Sequence, residues 1–374
     1  MTSVAPTSVA AAMIVRDEAR FLPGALASLH GKVEEIVIVD TGSRDATVEI
    51  AHSAGARVVH FDWTDDFAAA RNRGLAEVTA DWVLYIDADE RLRVPGDRPL
   101  GDALDPRALA ATVRFSPKTG YTRYREWRLF RRDERLRFAG AIHETMVPRI
   151  EEIAARDGLP LARTAVEIDH LGYDGDQSAK HARNLPLLRR ASAENPGRVY
   201  LWYHLAESLA AVGDVDAATH AARRGLQAAR DFPSAKQRAN ASLIYQMLAR
   251  LALARREDPR ALIAEGLAAV PDDHALALMQ ARALLDAGAA APALAVATRL
   301  AAIDPDALAD GLLAFDRRIF GELAHDLAAV AALRLARFGE ARAHFEAAAT
   351  LAADPLPFRV KARAAALGER RAAS

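Results

Sequence analysis

Four short runs near the start of the chain are almost continuously apolar: AAMIV at residues 11–15, EIVIVD at 35–40, RVVHF at 57–61 and WVLYID at 82–87. Strict alternation would predict strands with one wet face. Unbroken runs predict strands covered on both faces, as in a parallel sheet with helices packed on either side. The stretches between them, at about 20–30, 45–54 and 67–79, have helical periodicity, so the predicted order is βαβαβαβ. Residues 112–116, 127–131 and 165–170 predict three more strands, and RVPGDRPLGD at 93–102 predicts a loop.

After about residue 177 the strand pattern stops. The remainder of the chain is rich in alanine and leucine with helical spacing, and loosely repeats itself. Trp202, Leu205, Gly213, Ala217 and Pro233 are echoed by Leu284, Gly288, Ala293 and Pro305, and again by Leu333, Gly339, Ala341 and Pro355. The prolines 233, 271, 305 and 355 are spaced 38, 34 and 50 residues apart, close to the roughly 34-residue tetratricopeptide unit. Two domains are expected: residues 1–176, α/β, and residues 177–374, an all-α array of tetratricopeptide-like helical hairpins. Such arrays bind partners or dimerise more often than they catalyse.

Composition then narrows the function. Lys and Arg (49) nearly cancel Asp and Glu (50), so no global field favours nucleic acid or an anionic membrane. The absence of cysteine excludes disulfides, thiolate zinc sites and a cysteine nucleophile. The first residues, MTSVAPTSVAAAMIVRDE, lack a basic segment ahead of a long apolar one, so the expectation is a cytoplasmic chain with no signal peptide and no membrane span.

The chemistry concentrates in DWVLYIDADE at 81–90, where an apolar strand runs into three carboxylates within four positions. Like charges this close repel unless a cation sits between them. If the strand continues through Asp89, residues i and i+2 share a side, and Asp87 and Asp89 both reach one divalent cation. Oxygen ligands suit Mg²⁺ or Mn²⁺, which typically keep waters and share substrate phosphates. A bare D-x-D can also start a helix or lie in a solvated loop. Here it ends a buried strand beside two other polar strand ends, RDE at 16–18 and DTGS at 40–43, where open α/β sheets bind ligands. Aspartate-nucleophile phosphatases also place D-x-D after a strand, but after the first strand and with Thr or Val where this chain has Arg91.

AMIVRDE at 12–18, EIVIVDTGSRDAT at 35–47, DFAAARN at 66–72 and WVLYIDADE at 82–90 resemble the successive motifs of family 2 glycosyltransferases of GT-A (Rossmann-like) fold. RLFR at 128–131, GAIHE at 140–144, HLGY at 170–173 and KHARN at 180–184 are similar to later motifs of the subset that carries a C-terminal tetratricopeptide-like region. The resemblance implies a nucleotide-sugar-binding domain in which Ile14, Arg16 and Asp40 line the nucleotide pocket. Asp40 would accept from a uracil-type ring N–H, Arg71 would pair with the pyrophosphate, and Asp87 would face ribose or sugar. Asp89 would bind the metal together with His170, with His143 as the rival ligand. Inverting sugar transfer needs a base opposite the leaving diphosphate, and Glu144, four residues after Gly140, takes that role.

Each residue also has a plainer reading. Asp40 can cap a helix beginning near Ser43, Arg71 can pair with Asp65 or Asp66 at the surface, and Glu144 can start a helix. His170 can be a structural histidine, and Trp127 can be a core residue instead of a sugar platform. The expected function is inverting, metal-dependent transfer from a nucleoside-diphosphate sugar, UDP being the expected nucleotide, to a peptide or protein acceptor selected partly by the helical domain. A lipid-linked or small-molecule acceptor and a non-catalytic scaffold are the alternatives, and the helical domain is a candidate homodimer interface.

Overall fold

The computed structural model describes residues 7–172 and 178–373. These fall into two compact units: one runs to Thr119, resumes at Arg123 and takes in Ala309–Leu312, and the other holds Gly120–Thr122, the helices from Ser178 to Leu308, and the chain from Leu313 onward. The expected boundary at 176/177, and Tyr173 of the HLGY motif, lie outside the described residues.

The first unit is built on one eight-stranded sheet of order β3-β2-β1-β4-β7-β6-β8-β5. Its strands are β1 (Val9–Val15), β2 (Glu35–Asp40), β3 (Arg57–His60), β4 (Trp82–Tyr85), β5 (Glu90–Arg93), β6 (Ala110–Ser116), β7 (Tyr124–Arg131) and β8 (Leu161–His170). β1 pairs in parallel with β2 and β4, and β2 with β3. Beyond β4 the sheet turns mixed, with β7 antiparallel to both β4 and β6.

The continuous apolar runs have the predicted cause. Val9, Ala11, Met13 and Val15 of β1, with Trp82 and Leu84 of β4, pack against helices α1 (Leu22–Leu29) and α2 (Thr47–Ser53). The alternate residues Ala10, Ala12 and Val83 face α3 (Phe67–Leu75) and α4 (Val147–Asp157). Asp66 caps α3 by accepting from the Ala69 amide at 2.9 Å, and Gly158, left-handed at φ 65°, ends α4. A β-carbon at Gly74 would lie 2.9 Å from a Val39 methyl, so glycine lets α3 sit close on β2.

Two sequence expectations are corrected. The strand carrying the D-x-D motif ends at Tyr85, and Asp87–Glu90 is a turn closed by the Glu90 amide donating to the Asp87 carbonyl at 3.0 Å; Asp87 and Asp89 therefore do not share a face of an extended strand. A strand not foreseen, β5, starts at Glu90 and pairs antiparallel with β8, setting Glu90 opposite His170.

Among the described residues the second unit is helical: α5 (Ser178–Glu194), α6 (Val199–Ala211), α7 (Val215–Asp231), α8 (Ala235–Ala254), α9 (Arg260–Ala269), α10 (His274–Asp286), α11 (Ala290–Ala301), α12 (Glu322–Arg334), α13 (Phe338–Leu351) and α14 (Leu356–Ala373). Gly213 and Gly288 both take left-handed φ, 87° and 81°, at the tight turns of α6–α7 and α10–α11, as the repeat alignment implied. In the α12–α13 hairpin that place belongs to Ala336 (φ 56°), and Gly339 lies inside α13; the third repeat is offset by three residues from the alignment. None of the described helices is long and apolar enough to cross a membrane.

Candidate active site

The loops at the carboxyl ends of β1 and β2 are tied together by short polar contacts. Asp17, in a left-handed conformation (φ 56°), takes a hydrogen bond from the Arg44 amide at 2.7 Å, while its own amide donates to Ser43 Oγ at 3.0 Å. The Glu18 amide donates to Thr47 Oγ1 at 2.8 Å. The Glu18 carboxyl is thereby held where burial, reinforced by the charges of Asp89 and Asp87, pushes its pKa up to about 7. The carboxylates of this corner thus repel in the folded protein as their crowding in sequence suggested.

Asp40, buried at the end of β2, accepts from the amides of Gly42 and Ser43 at 3.3 and 3.1 Å, and His60 Nδ1 lies 3.4 Å from it. It caps its own loop; the helix α2 starts only at Thr47. Ile14 is half-buried in β1, and Arg16 is exposed just beyond it.

Arg71 is placed differently from its plainer reading. It is not paired with Asp65 or Asp66 at the surface. Its guanidinium lies 5.2 Å from the Tyr85 ring centre and 5.6 Å from that of Phe138, with Nη2 donating to Asp87 Oδ1 at 3.0 Å and Nε donating to Glu144 Oε1. Burial would push the Asp87 carboxyl up, but the guanidiniums of Arg71 and Arg128 outweigh it and hold the group below the usual carboxylate range. Asp87 remains 38% exposed, so this carboxylate is both oriented and reachable.

Glu144 owes its direction to a tight excursion of the chain. Ala139 and Thr145 exchange two backbone hydrogen bonds of 3.0 Å, Gly140 has φ 100°, and His143 is left-handed at φ 50°. Glu144 precedes α4, which starts at Val147, so it does not begin that helix.

Asp89 meets His170. Imidazole Nε2 lies 2.8 Å from Asp89 Oδ2, and Nδ1 lies 2.8 Å from the Pro117 carbonyl oxygen. Burial alone would lower the histidine's pKa, but the hydrogen bond and charge of Asp89 push it up to about 9. Nδ1 must donate to Pro117, because a carbonyl has no proton to give. Once neutral, the ring therefore presents its Nε2 lone pair on the Asp89 side, the arrangement usual for metal-ligating histidines. Among the described residues no three His, Asp or Glu side chains form a cation cage. A carboxylate and an imidazole fit a hard divalent ion whose remaining ligands are water and diphosphate.

Residues 11–146 match the family model described as Glycosyl transferase family 2. The chain carries a family 2 glycosyltransferase domain. It is 38% identical over 262 residues to a TPR repeat-containing protein of Synechococcus elongatus, covering 67% of this chain and 62% of that protein. It is 26% identical over 203 residues to the SPbeta prophage-derived glycosyltransferase SunS of Bacillus subtilis, covering 50% of this chain and 47% of that one. The chain thus spans between about half and three-fifths of the length of these relatives. Among solved structures it is similar to S. aureus TarS 1–349, with TM-score 0.37, 11% identity, and coverage of 73% of this chain and 90% of that one.

Within the glycosyltransferase domain, the predicted residues fall into an Arg71–Asp87–Glu144 group, an Asp89–His170 pair and a separate Asp40 loop. Trp127 packs against the core on the α3/α4 face of the sheet. Glu18 stood at one of the polar strand ends the sequence pointed to but was given no role there; the structure couples its carboxyl to the charges of Asp89 and Asp87.

Proposed function

We propose that the chain is an inverting glycosyltransferase that moves a sugar from a nucleoside-diphosphate donor, with UDP as the nucleotide, to a peptide or protein acceptor. The observation that carries this reading is the Arg71 bridge, which sets the base Glu144 and the donor-facing Asp87 on one guanidinium, two residues along the chain from Asp89.

In this mechanism the acceptor nucleophile attacks the anomeric carbon from the face opposite the diphosphate, the carbon–oxygen bond to the diphosphate breaks, and the acceptor proton passes to Glu144. Arg71 orients the Glu144 carboxylate and fixes Asp87, a linking role beside the pyrophosphate contact expected from sequence. Ile14, Arg16 and Asp40 line the nucleotide side. Asp89 and His170 would hold a divalent cation, Mn²⁺ or Mg²⁺, whose charge offsets that of the departing diphosphate.

The acceptor class is supported by the helical unit alone. It holds a groove of about 520 Å³ whose lining combines apolar Leu253, Leu278, Met279 and Leu323 with charges of both signs, Arg256 and Arg282 beside Asp286 and Asp326 among them. Apolar side chains among charges of both signs suit an extended peptide.

A panel of nucleoside-diphosphate sugars incubated with Mn²⁺ and no acceptor tests the donor reading, because slow transfer to water needs no partner. At least one donor should be consumed. If every donor stayed intact and none raised the melting temperature, a non-catalytic scaffold would replace this reading.

A further inference from the structure

Arg128 and Glu90 form a charged pair in the interior, 5% and 2% exposed. Arg128 Nη2 donates to Glu90 Oε1 at 2.8 Å and Nη1 to Oε2 at 3.2 Å. The guanidinium lies between two rings, 4.6 Å from the centre of Tyr85 and 4.7 Å from that of Phe115. Its Nε is buried with no hydrogen-bond partner. A pair of this kind is a poor stabiliser, since removing two charges from water costs as much as their attraction returns, and apolar replacements commonly fold as well or better. The orphaned Nε adds to that cost and calls for another explanation.

The explanation lies in what Glu90 does with its second contact. Its Oε2 accepts from the backbone amide of Asp87 at 2.9 Å, inside the turn that carries both Asp87 and Asp89. Asp87 is therefore gripped twice: its carboxylate by Arg71, which Glu144 holds, and its main chain by Glu90, which Arg128 holds. Tyr85, the last residue of β4, lies against both guanidiniums. Beyond Tyr85 only two sheet-type bonds remain before β5, the Ile86 amide donating to the Ala12 carbonyl at 3.1 Å and the Leu171 amide donating to the Asp89 carbonyl at 3.0 Å, and neither holds the main chain of Asp87.

We infer that Glu90 and Arg128 are positioning residues, a buried pair that holds the Asp87–Asp89 turn in the shape that presents its two carboxylates to a nucleoside diphosphate and its cation. This rests on the donor reading proposed above, and goes beyond it by assigning a task to two residues that touch neither donor nor acceptor. Their contribution is to the geometry of the turn, with the Arg128 charge also favouring the ionised form of Asp87; the fold does not need their charge.

The test is the double replacement Glu90→Leu/Arg128→Met, which removes both charges together, beside Arg128→Lys, which keeps the charge but loses the two-pronged grip. Three quantities are read on the full chain: melting temperature, hydrogen exchange at the Asp87 amide, and affinity for UDP with Mn²⁺. The double variant should melt at or above the wild-type temperature, exchange the Asp87 amide faster, and bind Mn²⁺–UDP about 10- to 100-fold more weakly, the usual effect of losing an outer supporting contact. Arg128→Lys should fold and show the same two losses in smaller degree. If the double variant melts like the wild type and also exchanges and binds like it, the positioning role is overturned. If it fails to fold, Arg128→Lys decides by the same two readouts. A wild-type chain that binds neither UDP nor any other nucleoside diphosphate refutes the donor reading instead; the Asp87 amide then decides the positioning role by itself, unchanged exchange in the variants overturning it.

Discussion

Arg71 and Glu144 form an ion pair between two side chains that are each only 10% exposed, across 73 residues of sequence. The candidate base is therefore not a loop carboxylate waiting for substrate. It is oriented by a cation that also holds Asp87, so any movement of one carboxylate is felt by the other.

Glu144→Gln keeps the shape of the side chain but cannot take a proton at neutral pH, so turnover should fall roughly 10²- to 10⁴-fold while affinity for UDP barely changes. The variant should also lose about 1–3 kcal/mol of stability, because buried Arg71 gives up one of two anionic partners. Asp66 and Asp169 are already engaged and do not substitute for it: Asp66 caps α3, and Asp169 is held by Arg93 at 2.8 Å and Arg123 at 3.0 Å. Turnover at saturating donor, with melting curves alongside, checks this; retention of more than about a tenth of wild-type turnover removes Glu144 as the base.

Asp89→Asn should leave the fold intact and weaken Mn²⁺-dependent UDP binding at least about tenfold, roughly 1.4 kcal/mol. The substitution relieves repulsion on Glu18 but takes the charged partner from His170, so the melting temperature should fall modestly while the fold is kept. Calorimetry with UDP in Mn²⁺ and in chelator separates the two effects, and an affinity that does not respond to either change rules out the metal role.

The groove of the helical unit offers two exposed leucines, Leu253 at 50% and Leu323 at 36%. Replacing both by Glu should reduce transfer to a peptide acceptor about tenfold or more, the scale of losing interface anchors, and leave acceptor-free donor hydrolysis unchanged. Sedimentation of the same variant asks whether a second copy of the chain occupies the groove: a dimer that falls apart would reassign the surface.

Acid should weaken the helical unit. His325 of α12 and His344 of α13 face each other with Nδ1 atoms 2.9 Å apart, an arrangement that requires one ring to be neutral. Burial lowers both, with the neighbouring imidazole lowering His325 further and Glu340 partly offsetting the effect at His344. His274, half-buried against Phe315 and Phe320, is lowered as well by its partial burial. The unfolded chain thus binds more protons than the folded one just below the ordinary value of 6.5. Stability is full above that pH and is lost as pH falls through it. Thermal melts at about pH 7.5 and about pH 5 should show the drop, and His325→Gln/His344→Gln should flatten it.

Much of the site was legible because its signals are local. DWVLYIDADE states in one short stretch that carboxylates crowd the end of a buried strand, and the histidine at the end of the last predicted strand is the one that meets Asp89. Two kinds of feature were not legible. The turn at Asp87 looks like strand in sequence, because Ile86 is apolar and buried and its amide still bonds the Ala12 carbonyl; only at Asp87, whose amide goes to Glu90 instead of a neighbouring strand, is the end of β4 plain. The membership of Ala309–Leu312 in the first unit, where Asp310 takes ion pairs from Arg114 at 3.1 Å and Arg125 at 2.6 Å, leaves no periodic trace in a stretch that reads as part of the helical array.

The alternation of apolar runs that builds a sheet buried on both faces, the change to helical hairpins and the acidic residues at strand ends are all written in the chain, since hydrophobic periodicity and turn chemistry act over a few neighbouring residues. Which charges meet is settled by the folding of distant segments onto one another. Arg71 could have reached Asp66 five residues away and instead joins Asp87 and Glu144; Arg128 finds Glu90 across 38 residues. Desolvation is the reason. A guanidinium buried between rings, as Arg71 is by Tyr85 and Phe138 and Arg128 by Tyr85 and Phe115, must find its counter-charge inside the fold, and which carboxylate is there depends on strand order, which no local pattern specifies.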